Sequence, residues 1–262
     1  MSASEIRKLA REALAGKWGK AALVILVYGL ITWTITFVLN FIPFVGPIAL
    51  LAIEIPMAFG LISTLMKLKR GEEVSYTGFL TDGFNNFASS WKVKLWTFVK
   101  MLAPIIVFII AMFILVVGSG VTLVGVTAAN SSAKGTGGIV TVIGIIALIA
   151  ASIWFAIKSY SYQIVSFILF DNPSMEAKAI VEKSEKLMQG NRWKLFCLQL
   201  SFIGWIILSG FTFGIGTLWV TPYLLIAEVA FYEALAGKSS DIQAEIVTQK
   251  PVQEDNGPIS GE

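Results

Sequence analysis

Histidine is absent from the 262 residues, which removes the usual general base and the commonest metal ligand, and with them triad hydrolases and His-ligated metal sites. A single cysteine, Cys197, excludes an internal disulfide and a thiolate cluster. Charge is scarce: 20 Lys and Arg with 17 Asp and Glu make 14% of the chain, against about 25% in ordinary soluble domains. The net charge of +3 is too small and dispersed for a nucleic-acid-binding chain. Glycines at 118–120 and 135–138 are followed by no Walker lysine spacing, so no ATP-binding signal exists. No cofactor and no metal site are expected.

What the chain has instead is apolar residue. Hydrophobic side chains make up 56% and the mean hydropathy is +0.76, which together describe a multi-spanning membrane protein. A span needs about 20 mostly apolar residues. Respecting Gly and Pro punctuation gives spans near 21–41, 48–66, 96–117, 139–157, 195–213 and 218–236. The first two are split by the two prolines and glycine of 40–47, and the last two by Gly214-Ile215-Gly216-Thr217. Residues 118–138, small and polar, read as a flexible external loop. Residues 139–170 carry one charge, Lys158, and are too long for one continuous span, so they must tilt, break near 158–162 or protrude. There Tyr160, Tyr162 and Gln163 suit an aromatic belt or, less favoured, a vestibule lining.

Lys and Arg orient the spans, since cytoplasmic segments retain positive charge. Five lie in the N-terminal segment, six after the second span (among them Lys92, Lys94 and Lys100), six after the fourth and two in the tail, leaving Lys134 on the other side. Both termini are expected in the cytoplasm of a bacterial cell. The first span reads as an uncleaved signal anchor. Residues 1–236 form a single membrane domain, and 237–262 read as a disordered cytoplasmic tail.

Three times a short amphipathic helix and a Trp with nearby Lys precede an apolar hairpin. The joints contain Trp18 and Lys20, Trp91 and Lys92, and Trp193 and Lys194, each placing an aromatic and a cation to anchor a helix at the headgroup layer. The first amphipathic helix, 4–16, opens on a Ser2/Glu5 capping box and closes at Gly16. The second carries a stripe of Tyr76, Leu80, Phe84, Phe87 and Trp91. The third begins at Pro173 and Ser174 and shares Ala177, Ile180, Val181, Ser184, Leu187 and Met188 on one face before Gly190. Such helices lie in the interface plane or pack beneath the bundle.

Glu54 and Glu228 fall inside spans two and six, where an ionised group costs roughly 2.5 kcal/mol or more at a helix centre. If they face each other they hold a proton or a cation between them. The alternative is that each is hydrogen-bonded to a neighbouring span through Thr32, Thr34, Thr36 or Gln199. Glu54 also precedes Pro56, whose missing donor frees a carbonyl one turn earlier. Lys100 and Lys158 are expected to snorkel to headgroups. Gly204, Gly210 and Gly214 include a Gly-x-x-x-Gly spacing suited to close helix packing within the chain or between copies.

Asp171-Asn172-Pro173, Lys186-Leu187-Met188-Gln189-Gly190-Asn191-Arg192-Trp193-Lys194-Leu195-Phe196, Leu200-Ser201-Phe202-Ile203-Gly204-Trp205, Leu218-Trp219, Pro222-Tyr223 and Phe231-Tyr232 closely resemble the bacterial membrane family catalogued as domain of unknown function 975. Arg11-Glu12-Ala13-Leu14 to Trp18-Gly19-Lys20 and the Lys69-Arg70-Gly71-Glu72-Glu73 turn are similar to it too. The resemblance spans most of 5–236. It implies a polytopic protein of the cytoplasmic membrane, mostly of Gram-positive bacteria, with no agreed activity and no catalytic residue to carry over. The Gly-rich 118–138 segment and the tail depart from the family.

The expected fold is all-α: six transmembrane helices as three hairpins, with short cytoplasmic amphipathic helices. Two functions fit it. One is a non-enzymatic accessory or binding protein acting on a membrane partner or envelope lipids. The other is a small transporter or lipid-handling protein with a proton or cation site at Glu54 and Glu228. The lipid bilayer is the expected surrounding, and a membrane-protein partner or a homo-oligomer stays open.

Overall fold

A computed structural model describes residues 2–43, 45–129 and 131–249, with side chains to residue 237. Among these residues there are eleven helices and no strand: α1 (Ala3–Leu14), α2 (Trp18–Leu39), α3 (Val45–Lys69), α4 (Gly78–Asn85), α5 (Phe87–Thr127), α6 (Ser131–Ser161), α7 (Val165–Asp171), α8 (Ala177–Met188), α9 (Arg192–Leu200), α10 (Ile203–Phe211) and α11 (Thr217–Gln249). Six stretches are long and apolar enough to cross a membrane: 18–39, 45–69, 87–127, 131–171, 192–211 and 217–237. Most of their side chains face outward. Ile109, Phe113, Ile146 and Ile207 are all more than half exposed, a surface that only lipid accommodates over such lengths. The chain is a polytopic α-helical membrane protein.

The short helices follow from local chemistry. In α1 the Ser2 hydroxyl accepts from the Glu5 amide at 3.3 Å and the Glu5 carboxylate accepts from the Ser2 amide at 2.8 Å, which satisfies two orphan donors at once. Its apolar stripe Ile6, Ala10 and Leu14 is buried, and Gly16 turns the chain at φ +73°. Helix α8 buries Ile180, Val181, Ser184 and Met188 and packs on α5, α6, α7 and α11. These faces meet Leu65, Met66, Ile168 and Ile226 in one continuous core.

Helix α4 departs from the stripe expected of it. Tyr76, Phe84 and Phe87 are exposed, whereas Phe79 and Gly83 are buried. The reason is backbone contact with α3. A Cβ on Gly60 would stand 1.8 Å from the Phe79 carbonyl oxygen, and one on Gly83 would stand 2.3 Å from that of Pro56. Helix α4 therefore lies along α3, and its glycines face inward. The aromatic residues turn outward as a result.

The largest difference lies at 118–138, which is not a loop. Helix α5 continues through it to Thr127 and α6 begins at Ser131. The glycines there are packing residues. A Cβ on Gly118 would come within 2.6 Å of the Thr141 amide nitrogen, and one on Gly144 within 2.7 Å of the Leu115 Cα. Gly125 meets Lys134, and Gly137 meets Thr122, at similar range. Ala111, Gly118 and Gly125 on one helix, with Gly137, Gly144 and Ala151 on the other, are buried at seven-residue intervals. A heptad of small residues seals an antiparallel pair at backbone-to-backbone distance. At about 1.5 Å per residue, the 41 residues of α5 extend about 60 Å, twice the hydrocarbon thickness.

Two further expectations are corrected, and of the courses open to residues 139–170 the break near 158–162 is the one taken. Lys92, Lys94 and Lys100 do not lie in a loop: they belong to α5. The 139–170 stretch breaks, with α6 ending at Ser161 and α7 starting at Val165. Helix α11 continues past Gly237 to Gln249, where a disordered tail was expected, and residues 250–262 lie outside those described.

Candidate functional site: a two-signed cavity between α3, α5 and α7

Pro56 is the starting point. It has no N–H, so the Ala52 carbonyl one turn earlier loses its helical partner. The Trp91 indole Nε1 donates to that carbonyl at 3.2 Å. Trp91 thus fastens the first turns of α5 to the wall of α3 beside Glu54. It is half-buried.

Three helical faces converge behind this clamp. Leu51, Glu54, Ile55 and Ala58 come from α3, and Ser90, Lys94, Thr97 and Met101 from α5, both at helical one-face spacing. Ser159, Tyr162, Gln163 and Ser166 close the third side from the α6–α7 turn. The cavity is an open cleft of about 570 Å³, within the size range of small-molecule sites. Glu54 and Lys94 both face it, and neither makes a hydrogen bond or ion pair among the described residues. Ser90 and Thr97 spend their hydroxyls on the Phe87 and Val93 carbonyls. The side chains of Ser159, Gln163 and Ser166 make no hydrogen bond among the described residues, so their polar groups are free to meet a guest. The cavity therefore presents one anion, one cation and uncommitted polar groups on a partly apolar lining. Tyr162 and Gln163 belong to this lining rather than to an aromatic belt.

Glu228 is elsewhere. It does not line this cavity. It is 6% exposed on α11, and Gln199 Nε2 donates to its carboxylate at 2.7 Å. Tyr160 donates its hydroxyl to Gln199 Oε1 at 2.9 Å, so one amide bridges α6, α9 and α11. The arrangement is a buried polar tie. Of the two alternatives, Glu228 takes the hydrogen bond to a neighbouring helix through Gln199, and it does not share the cavity of Glu54.

Charged networks missed by the sequence reading cluster where α3 and α7 end beside the middle of α11. Arg70 donates to Asp171 at 2.7 Å and to Glu233 at 3.4 Å, Lys69 pairs with Glu233, and the Tyr232 hydroxyl donates to Asp171 at 2.8 Å. Burial pulls the Arg70 guanidinium down, but the carboxylates of Asp171 and Glu233 outweigh it and hold it above its ordinary value. Lys67 pairs with Asp82 at 2.7 Å, tying α3 to α4. Lys158 does not snorkel freely: it pairs with Glu185 of α8 at 2.7 Å. That hydrogen bond, against the opposing effect of burial, holds the Glu185 carboxyl below the usual carboxylate range.

The three Trp and Lys joints are not equivalent. Trp18 is half-buried edge-on to Tyr223 at 5.8 Å, Trp91 caps Ala52, and only Trp193 projects, 71% exposed beside Phe196. Lys20 is half-buried and Lys92 exposed, while Lys194 donates to the Asn191 side chain at 3.0 Å. Gly204, Gly210 and Gly214 are corrected as packing residues within the chain. A Cβ on any of them would have no neighbour within 4 Å, and Gly214 serves a turn at φ +85°. The signal that would have found the true packing glycines was the seven-residue spacing, masked by their density.

Comparison with curated proteins and with solved structures finds no match to the chain. A family model described as "Protein of unknown function (DUF975)" matches residues 1–239, nearly the whole described membrane region. The six apolar stretches and the Arg70–Asp171 contact fall within it, and the chain belongs to the DUF975 family.

Proposed function

We propose that this protein is a non-enzymatic membrane protein that binds an amphiphile, an envelope lipid or a lipid-like partner segment, in the cavity between α3, α5 and α7. The observation that carries this reading is the joint occupation of that cavity's wall by unpaired Glu54 and Lys94 beside apolar Leu51, Ile55 and Met101. A site with both a polar end and an apolar lining suits a molecule with the same division. Binding, rather than chemistry, is favoured because no side chain at the cavity pairs a nucleophile with a base. A proton or cation site shared by Glu54 and Glu228 has less support, since Glu228 is committed to Gln199. The same proposal places the protein in a bacterial cytoplasmic membrane with both termini cytoplasmic, on the distribution of Lys and Arg.

The test is mass spectrometry of the protein extracted gently with its native membrane, beside a cavity-filled variant, Ala58→Phe with Ser166→Phe. A lipid enriched over an unrelated six-span control and lost in the filled variant supports the proposal. A lipid set identical in all three, or a stoichiometric protein partner retained by the filled variant without any enriched lipid, overturns it.

A further inference from the structure

Glu54 and Lys94 stand on opposing helices across one cavity, and no ion pair joins them. Both side chains are exposed in this cleft, and opposite charges that flank one cleft in a membrane protein pair with each other or meet a guest. The Trp91–Ala52 hydrogen bond ties their two helices together. Both charges line one cleft of about 570 Å³.

We propose that this cavity recognises a zwitterionic phospholipid headgroup that carries a primary amine. The ammonium donates hydrogen bonds to the Glu54 carboxylate, and the phosphate accepts from the Lys94 ammonium. Ser159, Ser166 and the Gln163 amide, which have no other side-chain hydrogen bond among the described residues, supply further donors to the phosphate oxygens. The acyl chains leave along the apolar wall of Leu51, Ile55 and Met101. The charge pattern favours this class over its competitors. An anionic headgroup without an amine leaves Glu54 unpaired against its own phosphate. A free cation leaves Lys94 repelling it. A headgroup bearing both charges satisfies both residues at once. This inference rests on the amphiphile-binding reading of the same cavity and adds the class of headgroup.

The test is lipid retention by the purified full chain in mild detergent, read by native mass spectrometry after equal addition of dioleoyl phosphatidylethanolamine, phosphatidylcholine or phosphatidylglycerol. The chain should retain phosphatidylethanolamine about tenfold over the other two, the equivalent of one charge-assisted hydrogen bond. Glu54→Gln should erase the preference over phosphatidylglycerol, Lys94→Gln should weaken retention of all three phosphate-bearing lipids, and the exchanged pair Glu54→Lys with Lys94→Glu should restore the preference in part. Circular dichroism of each variant confirms that it folds. Equal retention of all three lipids, displaced together by cavity filling, overturns the headgroup assignment while leaving amphiphile binding intact. No retained lipid in the unaltered chain overturns both. Deacylated glycerophosphoethanolamine competing as well as the lipid overturns a membrane source for the headgroup.

Discussion

The Trp91 indole takes the hydrogen-bonding position on the Ala52 carbonyl that Pro56 leaves unfilled, at 3.2 Å. A proline in α3 and a tryptophan in α5 thus form one device, 35 residues apart in sequence, and it aligns the two helices that carry Glu54 and Lys94.

Trp91→Phe keeps the ring and removes the donor, leaving a carbonyl unsatisfied where water is scarce. It should cost about 1–3 kcal/mol of stability. In a Pro56→Ala background the new amide of residue 56 serves Ala52, and the same Trp91→Phe change should cost much less. Thermal unfolding of the four proteins in one detergent checks the coupling; equal costs in both backgrounds would show that the hydrogen bond contributes nothing.

Gly144→Ala pushes a methyl group to about the 2.7 Å position beside the Leu115 Cα, and overpacking of this kind costs about 1–3 kcal/mol. Gly210→Ala meets open space within helix α10 and should be neutral or stabilising by up to about 1 kcal/mol through helix propensity. Melting curves measured side by side separate them. A reversal, with Gly210→Ala the damaging change, would point to packing between copies at α10.

Glu54 and Glu228 should respond oppositely to neutral replacement. Glu54→Gln removes no hydrogen bond or ion pair, so stability should change by no more than about 0.5 kcal/mol. Glu228→Leu strands the Gln199 amide and should cost about 1–3 kcal/mol, partly recovered when Gln199→Leu is added. Loss of folding in Glu54→Gln would make that carboxylate structural.

The Lys158–Glu185 pair predicts an acid limb. Glu185 is held below the ordinary carboxylate range by Lys158, so its contribution is complete above the unfolded carboxylate value and is lost as pH falls through the lower folded value. Glu185→Gln should flatten that part of the stability curve, measured by melting between neutral pH and the acid limb. An unchanged acid slope would show that the Lys158–Glu185 pair does not carry the loss.

The helical, membrane-spanning architecture was legible because composition and run length carry it: 56% apolar residues in stretches of span length leave few other folds. The Ser2/Glu5 box was equally local. What the sequence hid was distant in the chain. The pairing of α5 with α6 rests on glycines seven residues apart, and glycine density alone resembles a loop until the register is counted. Lys94 was counted among the charges between spans because the apolar run was taken to begin near residue 96, whereas α5 begins at Phe87. Its place on the same cleft as Glu54 joins helices that the sequence leaves separate, with α4 folded back along α3 through the contacts of Gly60 with Phe79 and of Gly83 with Pro56. Arg70 and Asp171 stood inside strings that carried the family resemblance, yet nothing local joins residues 101 positions apart.

The central claim, that the α3–α5–α7 cavity holds an amphiphile in the membrane, is tested most directly by photo-crosslinking in intact cells. A benzophenone side chain placed at Ser166, inside the cavity, is compared with one at Ile109, which is 59% exposed on α5. After illumination, the lipid adducts at each position are identified by mass spectrometry. The account predicts one amine-bearing phospholipid class enriched at position 166 and the bulk lipid mixture at position 109. The same mixture at both positions, or a water-quenched label at 166 with no adduct, would contradict it.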